Sequence, residues 1–400
     1  MERVILHVDM NSFFASVACI GHPEWKRVPM AVAGDKAKRH GIILAKNQLA
    51  KASGVVTGEP IGTAKSKCPS LLLVPPDMEQ YTALSDAARR IYAEYTDRVE
   101  SFGIDECWLD VTGNGFLYGT DYGEKIAQEI RSRIRSELRL TVSVGVSYNK
   151  LFAKMGSDYR KPDAVTVITP GNFKELLWGL PVENLLFVGR HTARRLWYAR
   201  IYTIGDLATA DPDMLQALFG KNGLALWQSA NGVDDSPVVP DSATQEIKSI
   251  SNSTTLARDM TTSLQVEAVL AGLCERVACR LRKAEKRCSV VRISVRTTDL
   301  HWYERQCRIE PTCLAPELLR EAMKLFCTHH DGSPVRSIGV CGAELVSEQP
   351  VQLSLFPDAP DSMRRARREA LACCMDRLHA QYDIPLHYAI TTLQGKGNNP

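Results

Sequence analysis

No stretch of the 400 residues approaches the roughly 18 to 20 consecutive apolar side chains that cross a bilayer, which excludes a membrane-spanning helical protein. Cys-x-x-Cys is also missing. The nearest neighbours among the 12 cysteines are Cys274/Cys279, Cys307/Cys313 and the adjacent Cys373-Cys374, and none has zinc-ligand spacing. Charge of one sign is not in excess: the net charge is +3, so composition alone points to no polyanionic partner. Solenoid repeats and long low-complexity tracts are absent. The apolar run from Val4 to Val8 is shorter than a signal-peptide core and no small-residue cleavage site follows. The expectation is therefore a cytoplasmic chain whose cysteines are reduced thiols, many of them buried. What is present, 44% hydrophobic and 24% charged residues, is an ordinary globular composition that rules out general disorder. The length suits about two to four domains.

Periodicity divides the chain. Arg3 to Asp9 reads as a buried strand ending in a carboxylate, with Asn11 or Ser12 placed to cap a helix carrying Phe13, Phe14 and Val17. Glycines at 34, 41, 54, 58 and 62 mark turns in a mixed region that runs to Pro76. Helical patterns over Tyr81–Tyr95 and Ile126–Leu138 flank a strand pair within Glu100–Val111, and an alternating strand follows from Leu140 to Ser147. These elements suggest an α+β sheet with helices on one face. Short helical pieces from Pro170 to Val233 form an all-α unit, and the stretch to Thr244, with Pro237 and Pro240, reads as a linker. The order β-α-β-β-α-β over about 100 residues then describes a compact split unit. A last helix is expected over Asp361–Tyr382.

Three acids stand out: Asp9, and the adjacent Asp105-Glu106. A lone strand-end acid usually meets water or caps a helix. Adjacent acids on a strand point to opposite faces. Gly103 offers a turn that brings both to one rim. If the three converge, their charge requires cations, and hard divalent metals suit oxygen ligands. Two such ions can hold the attacking and leaving oxygens of a phosphoryl displacement. Spacing alone leaves convergence open.

Three ordered motifs carry a resemblance. His7-Val-Asp9-Met-Asn-Ser-Phe-Phe14, Phe102-Gly-Ile-Asp105-Glu106-Cys-Trp-Leu-Asp, and Ser143-Val-Gly-Val-Ser-Tyr-Asn-Lys through Lys154, Asp158 and Lys161-Pro resemble those of Y-family (translesion) DNA polymerases, in the branch of bacterial DNA polymerase IV. The resemblance implies an α+β multidomain, right-hand polymerase. Its palm would take residues 1–11 and 77–165, its fingers 12–76 and its all-α thumb 166–235. A linker (236–245), a little finger (246–347) and a tail (348–400) would follow.

By motif position, Asp9, Asp105 and Glu106 are implied as catalytic carboxylates holding two Mg²⁺, with Mn²⁺ as the alternative, and the Met10 carbonyl completes the second site. Phe14 matches the aromatic steric gate that favours deoxynucleotides. Lys161 and Lys51 fall where relatives contact the triphosphate. Many relatives read Thr-Ala-Asn-Tyr-x-Ala-Arg where this chain has Ala45-Lys46-Asn47-Gln48-Leu49-Ala50-Lys51. Lysine is a point charge instead of a bidentate fork, so contact is expected to be looser, with Lys46 as a compensating cation. Ile42 and Leu44 imply a lower roof over the nascent base pair. Lys154 and Asp158, four apart, read as a helix-surface ion pair.

The string Leu186-Phe187-Val188-Gly189-Arg190-His191 resembles the thumb's helix-hairpin-helix, with Gly189 and Arg190 on DNA and Phe187 replacing the usual first glycine. Arg276, Arg280, Arg282, Lys283, Lys286, Arg287, Arg292 and Arg296 meet one acid, Glu285, and resemble the DNA-gripping little finger. Alternation at Arg292 and Arg296 suggests an open sheet face along the duplex. Gln352, Leu353, Leu355 and Phe356 lie in a segment that resembles the sliding-clamp-binding peptide.

The reading is a low-fidelity, low-processivity, template-directed DNA polymerase for damage tolerance, monomeric and without a membrane partner. Primer-template DNA, deoxynucleoside triphosphates and the sliding clamp are its expected partners. Two rivals stay open: a catalytically weak DNA-binding relative that joins the clamp, and a palm-type nucleotidyl cyclase, which leaves the hairpin, basic sheet and clamp peptide without a role.

Overall fold

The computed structural model describes residues 3–35, 41–240, 247–347 and 359–382. They form two compact units, divided between residues 240 and 247. In the first unit the strands are β1 (Ile5–Met10), β2 (Met30–Ala33), β3 (Ile43–Lys46), β4 (Leu72–Val74), β5 (Val99–Ser101), β6 (Glu106–Asp110), β7 (Val142–Ser147) and β8 (Val165–Ile168). Five of them make a sheet in the order β5-β6-β1-β7-β8, and three make a small sheet in the order β3-β2-β4. The central β1 is antiparallel to both β6 and β7.

Strand alternation decides what each side of β1 meets. Leu6, Val8 and Met10 join Val142, Val144, Ile126, Ile130, Ile134 and Tyr92 in one core under the helices Met78–Ala93 and Tyr122–Leu138. The opposite side of β1 carries Ile5, His7 and Asp9, and it too is covered, by the helix Lys150–Tyr159. Helices on one face of the sheet were expected; they occupy both. β7 is accordingly buried at all six positions instead of alternating. The reason is Gly145: a Cβ there would lie 1.9 Å from the Ala153 carbonyl oxygen, so only glycine lets this helix lie directly on the sheet. Asn149 starts the helix, its side chain accepting from the Phe152 amide at 2.7 Å. The expected caps at Asn11 and Ser12 are not formed. Ser12 stands at the N-cap of the helix Phe13–Gly21 with φ 48° and makes no side-chain cap. Asn11 instead donates to Ser143 and accepts from the Asp163 amide.

Helices between Phe173 and Ala230 close over Leu196, Leu207, Leu215 and Leu226, giving the expected all-α segment. The stretch after it is less of a free linker than its prolines suggest. Val238 is buried with Ile5, Trp108 and Ala153, and the Val239 amide donates to Glu100 Oε2 at 2.7 Å. Arg3 reaches the Ser236 carbonyl at 2.7 Å. Residues 233–240 therefore run as a strap along the first unit.

The second unit has the expected order: β9 (Ser249–Met260), helix Ser263–Lys283, β10 (Lys286–Thr297), β11 (Trp302–Thr312), helix Ala315–His329 and β12 (Val335–Ser347). The sheet order β11-β10-β12-β9, antiparallel throughout, splits both β-α-β pairs. The helices Ser263–Lys283 and Ala315–His329 bury Val291, Ile293 and Val295 of β10, and the intervening Arg292, Ser294 and Arg296 lie on the sheet's open side.

A final helix, Ala359–Tyr382, corrects the account of the basic run. Arg282 grips Asp376 through two bonds of 2.6 and 2.9 Å, and Arg287 grips Glu369 at the same distances. Bidentate pairs of this kind fix geometry as well as charge. The acids that neutralise these two arginines lie 94 and 82 residues along the chain, outside any local count. Arg282 and Arg287 are docking groups for the last helix.

Candidate active site

Asp9 and Glu106 are direct cross-strand partners, so their side chains share the polar side of the sheet with His7 and Trp108. Asp105 escapes the alternation rule because it lies in the turn before β6. Gly103 takes φ 101° there, the Phe102 amide bonds the Glu106 carbonyl at 2.8 Å, and the Met10 amide bonds the Asp105 carbonyl at 3.0 Å. Arg89 and Ser85 of the helix Met78–Ala93 hold the Gly103 and Ile104 carbonyls and so brace the turn.

All three acids line one cavity of about 320 Å³. Its lining adds Met10, Asn11, Ser12 and Phe13 around the end of β1, Lys161 and Pro162, and Lys46, Gln48, Lys51 and Thr57 on and after β3. Asn47 supports this last group by accepting from the Ala50 amide at 2.9 Å, which starts the short helix bearing Lys51. Lys46 reaches the Thr57 hydroxyl at 3.0 Å. Burial, together with the neighbouring Lys51 charge, holds the Lys46 ammonium below the usual lysine range. Two neighbouring lysines lining one cavity are poised for an anion. Leu44 also lines the cavity. Phe14 stacks on Tyr81 with ring centroids 4.1 Å apart, and it is Phe13 that reaches the lining.

Two residues matter more than their sequence suggested. The expected Lys154–Asp158 pair forms, at 3.2 Å, but the Lys154 ammonium is largely buried and lies also 3.2 Å from Asp9 and 3.0 Å from Glu106. Lys161 adds a 2.6 Å bond to Asp9 and a 2.8 Å contact to Asp158. The spacing 154/158 already places those two on one helix face, a signal that was available, and Lys161 follows just past the helix end at Tyr159. His7, two residues before Asp9 and on the same side of the strand, presents Nε2 to Glu106 Oε2 at 3.3 Å.

Burial pushes the Asp9 carboxyl up to about 6, against the pull of Lys161 and with help from Glu106. Burial and the Glu106 charge raise Asp105 as well. Burial would raise Glu106 too, but His7 and the Lys154 cation outweigh it and hold Glu106 down at about 2. Lys154 is raised, because Asp9, Asp158 and Glu106 overcome its own burial.

The donor set suits a hard divalent cation: carboxylate oxygens in one cavity, with Glu106 Oε2 buried and lacking an aligned hydrogen-bond donor. Among the described residues, however, no three His, Cys, Asp or Glu side chains are already drawn together as a metal cage. The lysines explain this, since Asp9 and Glu106 are turned to the ammonium groups that neutralise them.

Gly189 and Arg190 begin the helix Arg190–Tyr198. Phe187 takes φ 72°, so the residue in the glycine's place adopts the glycine's left-handed backbone, and its ring is 76% exposed. In the second unit Arg292 bonds Gln306 at 3.0 Å, and Arg296 is exposed opposite Trp302. Gln352, Leu353, Leu355 and Phe356 lie outside the described residues.

Comparison with known proteins agrees along the whole chain. Residues 8–158 match the model of the impB/mucB/samB family, and residues 247–355 match that family's C-terminal domain. DNA polymerase IV of Acetivibrio thermocellus is 46% identical over 405 residues, covering all of both chains. DNA polymerase IV 1 of Bacillus subtilis is 37% identical over 388 residues, covering 96% of this chain and 92% of its own. Among solved structures, a chimeric Y-family DNA polymerase superposes with a TM-score of 0.77 at 24% identity, over 86% of this chain and 100% of its own. That likeness is one of fold, the right-hand α+β architecture. With both family models in order on one chain and full-length relatives at this identity, the chain belongs to the impB/mucB/samB family, the Y-family DNA polymerases.

Proposed function

We propose that this DNA-directed DNA polymerase of the translesion type extends a primer 3′ end by two-metal-ion nucleotidyl transfer in the cavity between Asp9 and Lys51. The observation that carries the reading is the lining of that one cavity: Asp9, Asp105 and Glu106, from β1, β6 and the turn before it, share it with Lys46 and Lys51, from β3 and the short helix after it. Cation-holding oxygens and anion-holding ammoniums in one cavity are what a metal-bound triphosphate requires. The residues that would hold Mg²⁺, or Mn²⁺, are Asp9, Asp105 and Glu106 with the Met10 carbonyl; ions there would acidify the primer hydroxyl and neutralise phosphate charge.

The chain's own groups do the rest. Lys51 and Lys46 bind the outer phosphates as point charges, tolerant in geometry where an arginine fork would be strict. Lys161 lines the same cavity and bonds Asp9 at 2.6 Å, and its ammonium exchanges Asp9 for a phosphate oxygen. Phe14, held flat on Tyr81, supplies a rigid edge against a 2′-hydroxyl. Gly189 and Arg190 grip a backbone phosphate without reading sequence, and Arg292 and Arg296 track the duplex from the open sheet face. The family's domain names are assigned as palm 1–11 and 77–165, fingers 12–76, thumb 166–235, linker 236–245 and little finger 246–347, with Val238 of the strap packed rather than free. Gln352, Leu353, Leu355 and Phe356 bind the bacterial sliding clamp, which compensates a low intrinsic processivity. The protein acts as a cytoplasmic monomer in damage tolerance, at low fidelity.

Primer extension tests the reading. Mg²⁺-dependent extension by the wild type that disappears in Asp105→Asn supports it. DNA binding without extension in the wild type would favour the silent, clamp-associated relative instead.

A further inference from the structure

A second cavity, of about 290 Å³, adjoins the one lined by the acids and has no role in the account above. The two share Asn11, Ser12, Gln48 and Pro162 in their linings. Their charges differ. The first is lined by three carboxylates as well as by Lys46, Lys51 and Lys161. The second is lined by Lys26 and Arg139 and, among the described residues, by no aspartate or glutamate. Lys26 comes from the 3₁₀ helix Pro23–Arg27, and Arg139 follows the helix Tyr122–Leu138 with a left-handed φ of 58°.

Exposed cations usually do no more than face water. Concavity and the missing acids set this pair apart, because a cleft lined by charge of one sign focuses its field and concentrates counter-ions. The acids nearest to the pair in sequence are engaged elsewhere, Glu24 with His22 at 3.1 Å and Glu137 with Arg133 at 2.7 Å. The two asparagines in the lining are spent as well. Asn11 bonds Ser143 and the Asp163 amide, and Asn47 bonds the Met30 and Ala50 amides and the Val28 carbonyl. The strongest hydrogen-bond donors left to a ligand are the Lys26 ammonium and the Arg139 guanidinium, and what they recognise is an anion.

Nucleotidyl transfer supplies such an anion next door. It joins the primer 3′-oxygen to the α-phosphorus and breaks the bond from that phosphorus to the oxygen bridging it to the β-phosphate. That oxygen leaves with its electron pair as part of pyrophosphate, and the hydroxyl proton passes to water. We propose that the second cavity is a binding site for inorganic pyrophosphate, held by Lys26 and Arg139, and that the product leaves the first cavity through it. The product role rests on the reading of the first cavity as the polymerase site; the binding of pyrophosphate does not. Neither cation lines the first cavity, so their removal acts on the product and spares the chemical step.

Two measurements on the full chain test this separately. The first is calorimetric titration with sodium pyrophosphate in EDTA, without DNA, on a chain carrying Lys51→Ala to weaken the first cavity's own hold on anions. Adding Lys26→Ala and Arg139→Ala should weaken binding about 10-fold or more. No binding, or binding unmoved by the two substitutions, would overturn the site. Both side chains are exposed, so the variants should fold and melt as wild type does. The second measurement is primer extension by Lys26→Ala/Arg139→Ala with Lys51 intact. Its single-turnover rate should equal that of wild type, while the inhibition constant for added pyrophosphate rises about 10-fold. A matching rise in KM for the incoming triphosphate would mean that the two cations serve the substrate, and would overturn the product role. A chain that binds pyrophosphate through Lys26 and Arg139 yet extends no primer defeats the polymerase reading and the product role with it, but not the site. Extension by a chain whose pyrophosphate binding ignores the two substitutions defeats only this proposal.

Discussion

Replacing Lys154 by methionine should destabilise the metal-free protein and leave the Mg²⁺-bound protein much less affected. Lys154 sits within 3.2 Å of Asp9, Glu106 and Asp158, with its side chain 11% exposed. One such contact corresponds to about 5 kcal/mol of attraction at an effective dielectric near 20. Most of that is offset by desolvation, and removing one partner from a buried pair costs about 3–5 kcal/mol. Two features set the value at the lower end. Lys161 still contacts Asp9 and Asp158, and Asp9, already near 6, can take up a proton instead of staying charged. A loss of about 3 kcal/mol is expected near pH 7.5, or roughly 6–12 °C in the melting temperature of a unit this size. At pH 5 Asp9 is largely neutral, so the loss should shrink. Thermal unfolding in EDTA and in excess Mg²⁺ gives the comparison, because a cation bound to the folded state alone restores stability by mass action. Equal destabilisation with and without Mg²⁺, at both pH values, would refute the view that Lys154 stands in for a cation among the acids.

The two acids that face each other across β1 and β6 should respond oppositely to neutralisation. The proton on Asp9 is held more tightly in the folded chain, about 6 against 3.8, so metal-free stability falls as pH rises through that window. Asp9→Asn should therefore stabilise the metal-free protein at pH 7.5 by up to about 3 kcal/mol and change little near pH 4. Glu106, held near 2, contributes stability above its ordinary range and loses it only in strong acid, so Glu106→Gln should destabilise at pH 7.5. Shifts of the same sign in urea titrations would contradict this assignment. Phe14→Ala should raise ribonucleotide incorporation relative to deoxynucleotide incorporation, and unchanged sugar selection would remove Phe14 as the gate. Phe187→Gly suits the backbone's φ of 72° and should leave stability within about 1 kcal/mol of wild type; a loss several times larger in denaturant titrations would mean that the ring is structural.

Much of this molecule is legible from local pattern. The strand ending in Asp9, the second unit's β-α-β-β-α-β order and the final helix all follow from periodicity and breakers, which act over a few residues. The acids at 9, 105 and 106 stand out as residue types, but their convergence depends on the β1–β6 register and the Gly103 turn, and neither is a local property. Gly145 is an unremarked strand glycine until a helix is laid on it, and that contact puts Lys154 among the acids. In sequence Arg282 and Arg287 belong to a basic run with one local acid, and only the fold brings Asp376 and Glu369 to them from the last helix. Sequence by itself determined which residues could carry the chemistry and which segments are strands or helices. Tertiary structure alone decided which charges neutralise one another, because Coulomb and hydrogen-bond energies depend on distance through space, and the chain brings Lys154 within 3.2 Å of both Asp9 and Glu106.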